Sequence, residues 1–182
     1  MSVVLRRYSF AHVGPECIRY VRRDIRVRWR YFSRTLSIVS ISRSNFAAKM
    51  RFLQALEECA GAMVEAGVPL MLCGDLNIAR AEIDVHPKER SPNCTGQSPE
   101  ERALFERMLG RGLVDLSRVM DPTNEGLFTW WAPWRNMRAR NIGWRLDYIL
   151  ASEPLAREAT SCVVAAQFGT SDHAPVVAEF RG

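Results

Sequence analysis

From Asn45 onward, apolar residues recur at steps of three and four: Phe46, Met50, Leu53, Leu56, Ala60, Met63 and Val64 mark one face of a core-packing helix. Gly67 can end this helix, and residues 68–73 (VPLMLC) then form an unbroken apolar run of the length expected for a strand buried on both faces. A second helix is predicted from Ser98, where a serine cap, Pro99 at the first helical position and Glu101 completing a capping box stand together, and it should end near Gly112. Short apolar segments bounded by turn formers predict strands at 145–150, 162–165 and 175–180, and the β-branched alternation of 35–41 (TLSIVSI) predicts one ahead of the first helix. Helix followed by buried strand is the signature of an α/β fold.

The first 44 residues break this pattern. Nine arginines fall between Arg6 and Arg34 with little helical or strand periodicity, which divides the chain into a basic segment, 1–44, and a patterned domain, 45–182. That segment reads either as a basic arm for nucleic acid or as a leader outside the packed domain. The whole chain of 182 residues is 47% apolar, enough for one sizeable core, and its net charge of +5 suits a polyanionic partner. Five widely spaced cysteines (Cys17, Cys59, Cys73, Cys94 and Cys162) contain no C-x-x-C pair of the kind that binds zinc or does redox work. A reducing, cytoplasmic setting is expected, and no membrane partner, because no apolar run approaches the roughly 20 residues that cross a bilayer.

Candidate chemistry is concentrated in three places. The sequence Cys73-Gly74-Asp75-Leu76-Asn77 sets an acid and an amide two residues apart just past a buried strand, where open α/β sheets build their sites. Asp147 interrupts an apolar strand in Gly143-Trp144-Arg145-Leu146-Asp147-Tyr148, and a carboxylate there needs a partner. Either a salt bridge with Arg145 or Arg118, or a role in orienting a catalytic group, would supply one. Asp172 and His173 stand together in Gly169-Thr170-Ser171-Asp172-His173-Ala174-Pro175, in a turn leading into the last strand. Carboxylates, an amide and an imidazole are what phosphodiester hydrolysis requires: metal binding, water activation and support of the leaving oxygen. Between them, residues 129–145 (TWWAPWRNMRARNIGWR) interleave tryptophans with arginines, a pattern suited to filling the gap left by a missing base and to holding phosphates. Trp131, Trp134, Arg135, Arg138, Arg140 and Asn141 are the DNA-binding candidates, with Trp130 and Trp144 the tryptophans expected in the core.

In this order G-D-L-N, T-W-W, G-W-R-L-D-Y-I-L and S-D-H-A-P-V resemble the successive C-terminal motifs of the exonuclease III branch of the endonuclease/exonuclease/phosphatase superfamily, with coverage from about Phe46 to Phe180. The resemblance implies an α/β sandwich of two sheets, incomplete at the N-terminus. It implies Mg²⁺-dependent (Mn²⁺ possible) cleavage of double-stranded DNA at abasic sites or 3′ ends by a monomer in base excision repair. Residue by residue, it makes Asp75 the acid handling water or the leaving-group proton and Asn77 the amide on the phosphate and metal shell. Asp172 becomes a metal-supporting carboxylate, His173 the imidazole on the scissile phosphate, and Asp147 the acid behind that histidine. Asp75, Asn77, Asp172 and His173 are thereby the metal-site candidates. Tyr31 lies at about the right distance to match a family tyrosine, but the proline and glycine expected beside it are replaced. The metal-binding Gln-Glu motif of the family's first half has no counterpart, so a catalytically inactive fragment that at most binds DNA is the alternative expectation.

Overall fold

The computed structural model describes residues 2–4, 34–38 and 45–181. Helix α1 (Phe46–Glu65) starts at Asn45, whose side chain accepts from Ala48 N at 2.9 Å, and ends as predicted ahead of Gly67, which has φ +70. Helix α2 (Pro99–Gly110) opens on the capping box read from the sequence: Ser98 accepts from Glu101 N, and Glu101 in turn accepts from Ser98 N.

The strands in chain order are β1 (Ser2–Val4), β2 (Arg34–Ile38), β3 (Leu70–Asp75), β4 (Leu113–Asp115), β5 (Asp147–Ser152), β6 (Ala159–Val164) and β7 (Val176–Phe180). Among the described residues they form an antiparallel sheet, β1-β7-β6, and a mixed sheet, β2-β3-β5-β4, in which β2 runs parallel to β3. Alternation explains the layers. On β3 and β5, Leu70, Leu72, Tyr148 and Leu150 point into a core shared with α1 and α2. Met71, Cys73, Ile149 and Ala151 point the other way, against Val176, Ala178 and Phe180 of the second sheet. The apolar run of β3 is buried throughout because both of its faces are covered.

Three further short elements escaped the sequence pattern. Strand β4 and helix α3 (Leu116–Met120) share the junction at Asp115, which caps α3 by accepting from Arg118 N. A one-turn helix, α4 (Glu153–Ala156), follows β5. Among the described residues no helix is long and apolar enough to cross a membrane.

A buried charge network ties these pieces together beneath the sheet end. Arg145 is 0% exposed, and its guanidinium grips Asp84 at 2.8 and 3.0 Å and Asp115 at 2.9 and 2.8 Å. Arg118 adds a 2.6 Å contact to Asp84. The paired guanidiniums offset the burial that would raise the Asp84 carboxyl, and they hold it below its ordinary range. Arg145 and Arg118 are therefore occupied here, not at Asp147.

Candidate active site

Asp75 and Asp147 are cross-strand partners, the last residue of β3 standing opposite the first of β5. Directly opposed residues hold their Cβ atoms about 4.5–5.5 Å apart, so the sheet itself sets two carboxylates side by side at one end. His173 reaches them from the loop ahead of β7. Its Nδ1 lies 2.8 Å from Asp147 Oδ2 and its Nε2 4.0 Å from Asp75 Oδ2. Of the two roles open to Asp147, the structure supports the one that orients an imidazole.

Asn77 has φ 51, a left-handed backbone that Asn tolerates better than most residues. The turn folds its side chain back, so that Nδ2 donates to Asp75 Oδ2 at 2.9 Å while its N–H donates to Asp75 Oδ1 at 2.8 Å. Behind it, buried Lys49 donates to the Asn77 carbonyl at 2.6 Å and pairs with buried Glu101. Glu101 also accepts from Gly96 N at 2.6 Å. Gly96, at φ +95, takes a backbone conformation that strains other residues, and a Cβ there would also press on the Asn77 carbonyl oxygen at 3.0 Å. An ion pair between α1 and α2 thus supports the turn that aims Asn77. Asp172 accepts from Trp130 Nε1 at 3.1 Å, and its carbonyl accepts from Trp131 N at 2.9 Å.

Burial alone would lower the imidazole pKa of His173. The hydrogen bond to Asp147 and the charges of Asp147, Asp75 and Asp172 more than offset it, and the net shift is upward. The stability gained from that pairing is complete below the ordinary histidine value of about 6.5 and is lost as pH rises through the folded-state value. Asp147→Asn is therefore expected to destabilise the fold more at pH of about 5.5 than at about 8.5, checked by urea unfolding at both; equal losses would contradict the pairing.

Asp75, Asn77 and Asp172 offer oxygen donors of the kind Mg²⁺ prefers. Among the described residues, however, no three His, Cys, Asp or Glu groups converge to hold a metal ion. His173 Nδ1 is committed to Asp147 and one Asp172 oxygen to Trp130. A Mg²⁺ ion held here would rest on oxygens of Asp75, Asn77 and Asp172, with waters filling most of its shell.

The Trp and Arg loop divides differently from the expectation. Trp131 is a correction: it is 1% exposed, packed among Phe128, Met137 and Ile142, and its Nε1 donates to Asn141 Oδ1 at 3.0 Å, so it has no face to offer DNA. Trp144 is buried as expected, whereas Trp130 is only half-buried. Arg138 is also corrected, since its guanidinium donates to the carbonyls of Ala166, Phe168 and Ser171 and lies over the Trp131 ring. Asn141 is exposed, but its amide is used to bridge Trp131 and the Gly126 carbonyl. Trp134, at 59% exposed, and the exposed Arg135 and Arg140 face solvent. Tyr31 lies outside the described residues. Lys49, Glu101, Thr129 and the Asp84–Arg145–Asp115 network were missed, because each depends on a partner far away in the chain.

The chain belongs to the Endonuclease/Exonuclease/phosphatase family, whose profile matches residues 4–173. Within that family its relatives are the exonuclease III and AP endonuclease group of DNA repair nucleases. It is 43% identical over 108 residues to an exodeoxyribonuclease of Bacillus subtilis, covering 59% of this chain and 43% of the relative. Its fold is similar to that of an AP endonuclease from Archaeoglobus fulgidus, with a TM-score of 0.68 at 30% identity, over 75% of this chain and 55% of that one. It is also similar to a 3′ phosphatase from Neisseria solved with a product DNA hairpin, with a TM-score of 0.75 at 29% identity, over 82% and 62% of the two chains. The chain spans about half the length of these relatives.

Proposed function

We propose that this site serves the hydrolysis of DNA phosphodiester bonds, 5′ to an abasic site or at a 3′ end, by in-line attack of water on phosphorus in a Mg²⁺-dependent enzyme. The observation that carries the reading is the junction of Asp75, Asp147 and His173 at one end of two paired strands, with the imidazole held 2.8 Å from Asp147. Asp147 fixes the ring by accepting from Nδ1, which leaves the Nε2 side turned toward Asp75 and the substrate. A cationic imidazole there stabilises the charge that develops on phosphate oxygens. Asp75 is placed to manage the proton of the attacking water or of the leaving oxygen. Asn77, held by the turn that Lys49 supports, adds an amide donor to the phosphate.

Exposed Trp134, Arg135 and Arg140 would line the duplex. On the neighbouring turn, burial and the charges of Lys88, Arg90 and Arg140 lower the pKa of His86 against the opposing Glu89, while Arg90 itself pairs with Glu82 at 3.3 Å. Neutralising Arg135 and Arg140 together is expected to flatten the salt dependence of duplex binding by about one unit of log–log slope for each phosphate that is no longer neutralised. Arg138→Ala should leave the slope unchanged, since that side chain holds the loop. Titrations at several salt concentrations check both, and unchanged slopes for the Arg135 and Arg140 pair would remove this loop from the DNA surface.

One observation favours a second reading, a chain that binds DNA without cutting it: no metal-holding group closes among the described residues. Measuring binding and cleavage on the same abasic duplex separates the two.

A further inference from the structure

Thr129 is fully buried and touches the backbone on both sides of the histidine–aspartate pair. Its Oγ1 accepts from Leu146 N and from Asp147 N, each at 2.9 Å. Its carbonyl accepts at 2.8 Å from Ala174 N, the residue after His173, and its own N–H donates to the Trp144 carbonyl at 2.9 Å. We infer that Thr129 is a positioning residue, whose hydroxyl oxygen sets the register between the Asp147 carboxylate and the His173 ring.

The physical reason lies where β5 begins. Successive N–H groups along a strand normally point to opposite sides. Here those of Leu146 and Asp147 converge on one point, and an oxygen with two lone pairs can serve both. Residues 129–131 then act as a splint between the two halves of the site, with isolated bridges from Trp130 to both Trp144 and His173. The approach is close because Gly143 allows it: a Cβ there would lie 2.5 Å from the Trp130 carbonyl oxygen. Without the hydroxyl, two buried N–H groups lose their acceptor, and the backbone that carries Asp147 must shift to find another. A displacement of about 1 Å is enough to matter to a catalytic hydrogen bond.

The inference rests on the proposed role of the Asp147–His173 pair, so the test reads that pair without needing turnover. In the full chain, the His173 Nδ1 proton bonded to Asp147 should give a downfield imidazole N–H resonance in the proton NMR spectrum. Thr129→Ser keeps the hydroxyl and should keep the resonance. Thr129→Val keeps the shape, removes the acceptor, and should lose or broaden it while circular dichroism still reports a folded chain. A folded Thr129→Val with an unchanged resonance would show that Thr129 only fills space. Should Thr129→Val unfold, Thr129→Ser carries the test, and loss of the resonance in that folded variant overturns the inference. Asp147→Asn must abolish the resonance; if it survives, or is missing from the unaltered chain, the histidine–aspartate pair itself is refuted and the inference falls with it.

Discussion

His173→Ala is expected to lower the turnover of abasic-duplex cleavage at least ~100-fold, in any preparation that cleaves, while duplex affinity changes little. Burial would lower the imidazole pKa, but the Asp147 hydrogen bond and three neighbouring carboxylates outweigh it and raise the value, favouring the cationic form that can meet the charge growing on phosphate in the transition state. Removing it subtracts an interaction that strengthens during the reaction, and such losses fall on turnover more than on binding. Asp75→Asn should do the same, since an amide cannot take the proton. Steady-state kinetics on an abasic duplex, with binding measured separately, make the comparison. Near-full turnover in either variant would remove that residue from the reaction.

Arg145→Met is expected to destabilise the folded chain by ~3–5 kcal/mol, the scale seen when one partner of a buried ion pair is removed. The substitution leaves Asp84 with Arg118 as its one ion-pair partner among the described residues and Asp115 with Arg80 at 3.6 Å, although both carboxylates are only 1% exposed. Arg145→Lys should rescue little, because an ammonium cannot reproduce a planar fork that grips two carboxylates at once. Urea unfolding with an unchanged slope would report the loss directly. A shift in stability of under ~1 kcal/mol would mean that the network is solvated or replaceable.

How far the sequence foretold these features follows from the range of the interactions. The α1 stripe, the Ser98 capping box and the doubly buried β3 are local patterns, and each formed within a residue or two of its expected bounds. Asp147 stood out because it interrupts an apolar strand, and Asp75, Asn77 and His173 because they stand in polar turns next to apolar strands; Asp75, Asp147 and His173 meet through β3–β5 pairing and the loop before β7. Trp131 was misjudged because T-W-W does not tell which of two adjacent tryptophans is enclosed, and it is Trp131, not Trp130, that is buried among Phe128, Met137 and Ile142. Arg138 reads as a phosphate ligand until the carbonyls of 166–171 are seen beneath it. Lys49 looks like a solvated helix lysine, yet its partner Glu101 is 52 residues away, and Arg145 draws its carboxylates from 61 and 30 residues away. No periodicity carries such pairings.

If this chain carries the histidine–aspartate side of a DNA phosphodiesterase site, to which the described residues bring only some of the metal donors, an N-terminal partner segment should complete it. The decisive experiment is cleavage of an abasic duplex in Mg²⁺, by the chain alone and after mixing with an N-terminal segment of a full-length relative. Weak or no cleavage is expected from the chain alone, and metal-dependent cleavage after mixing, the latter abolished by His173→Ala. Robust cleavage by the chain alone would contradict the incomplete donor set, and none after mixing with a segment shown to bind would contradict the assignment of the site.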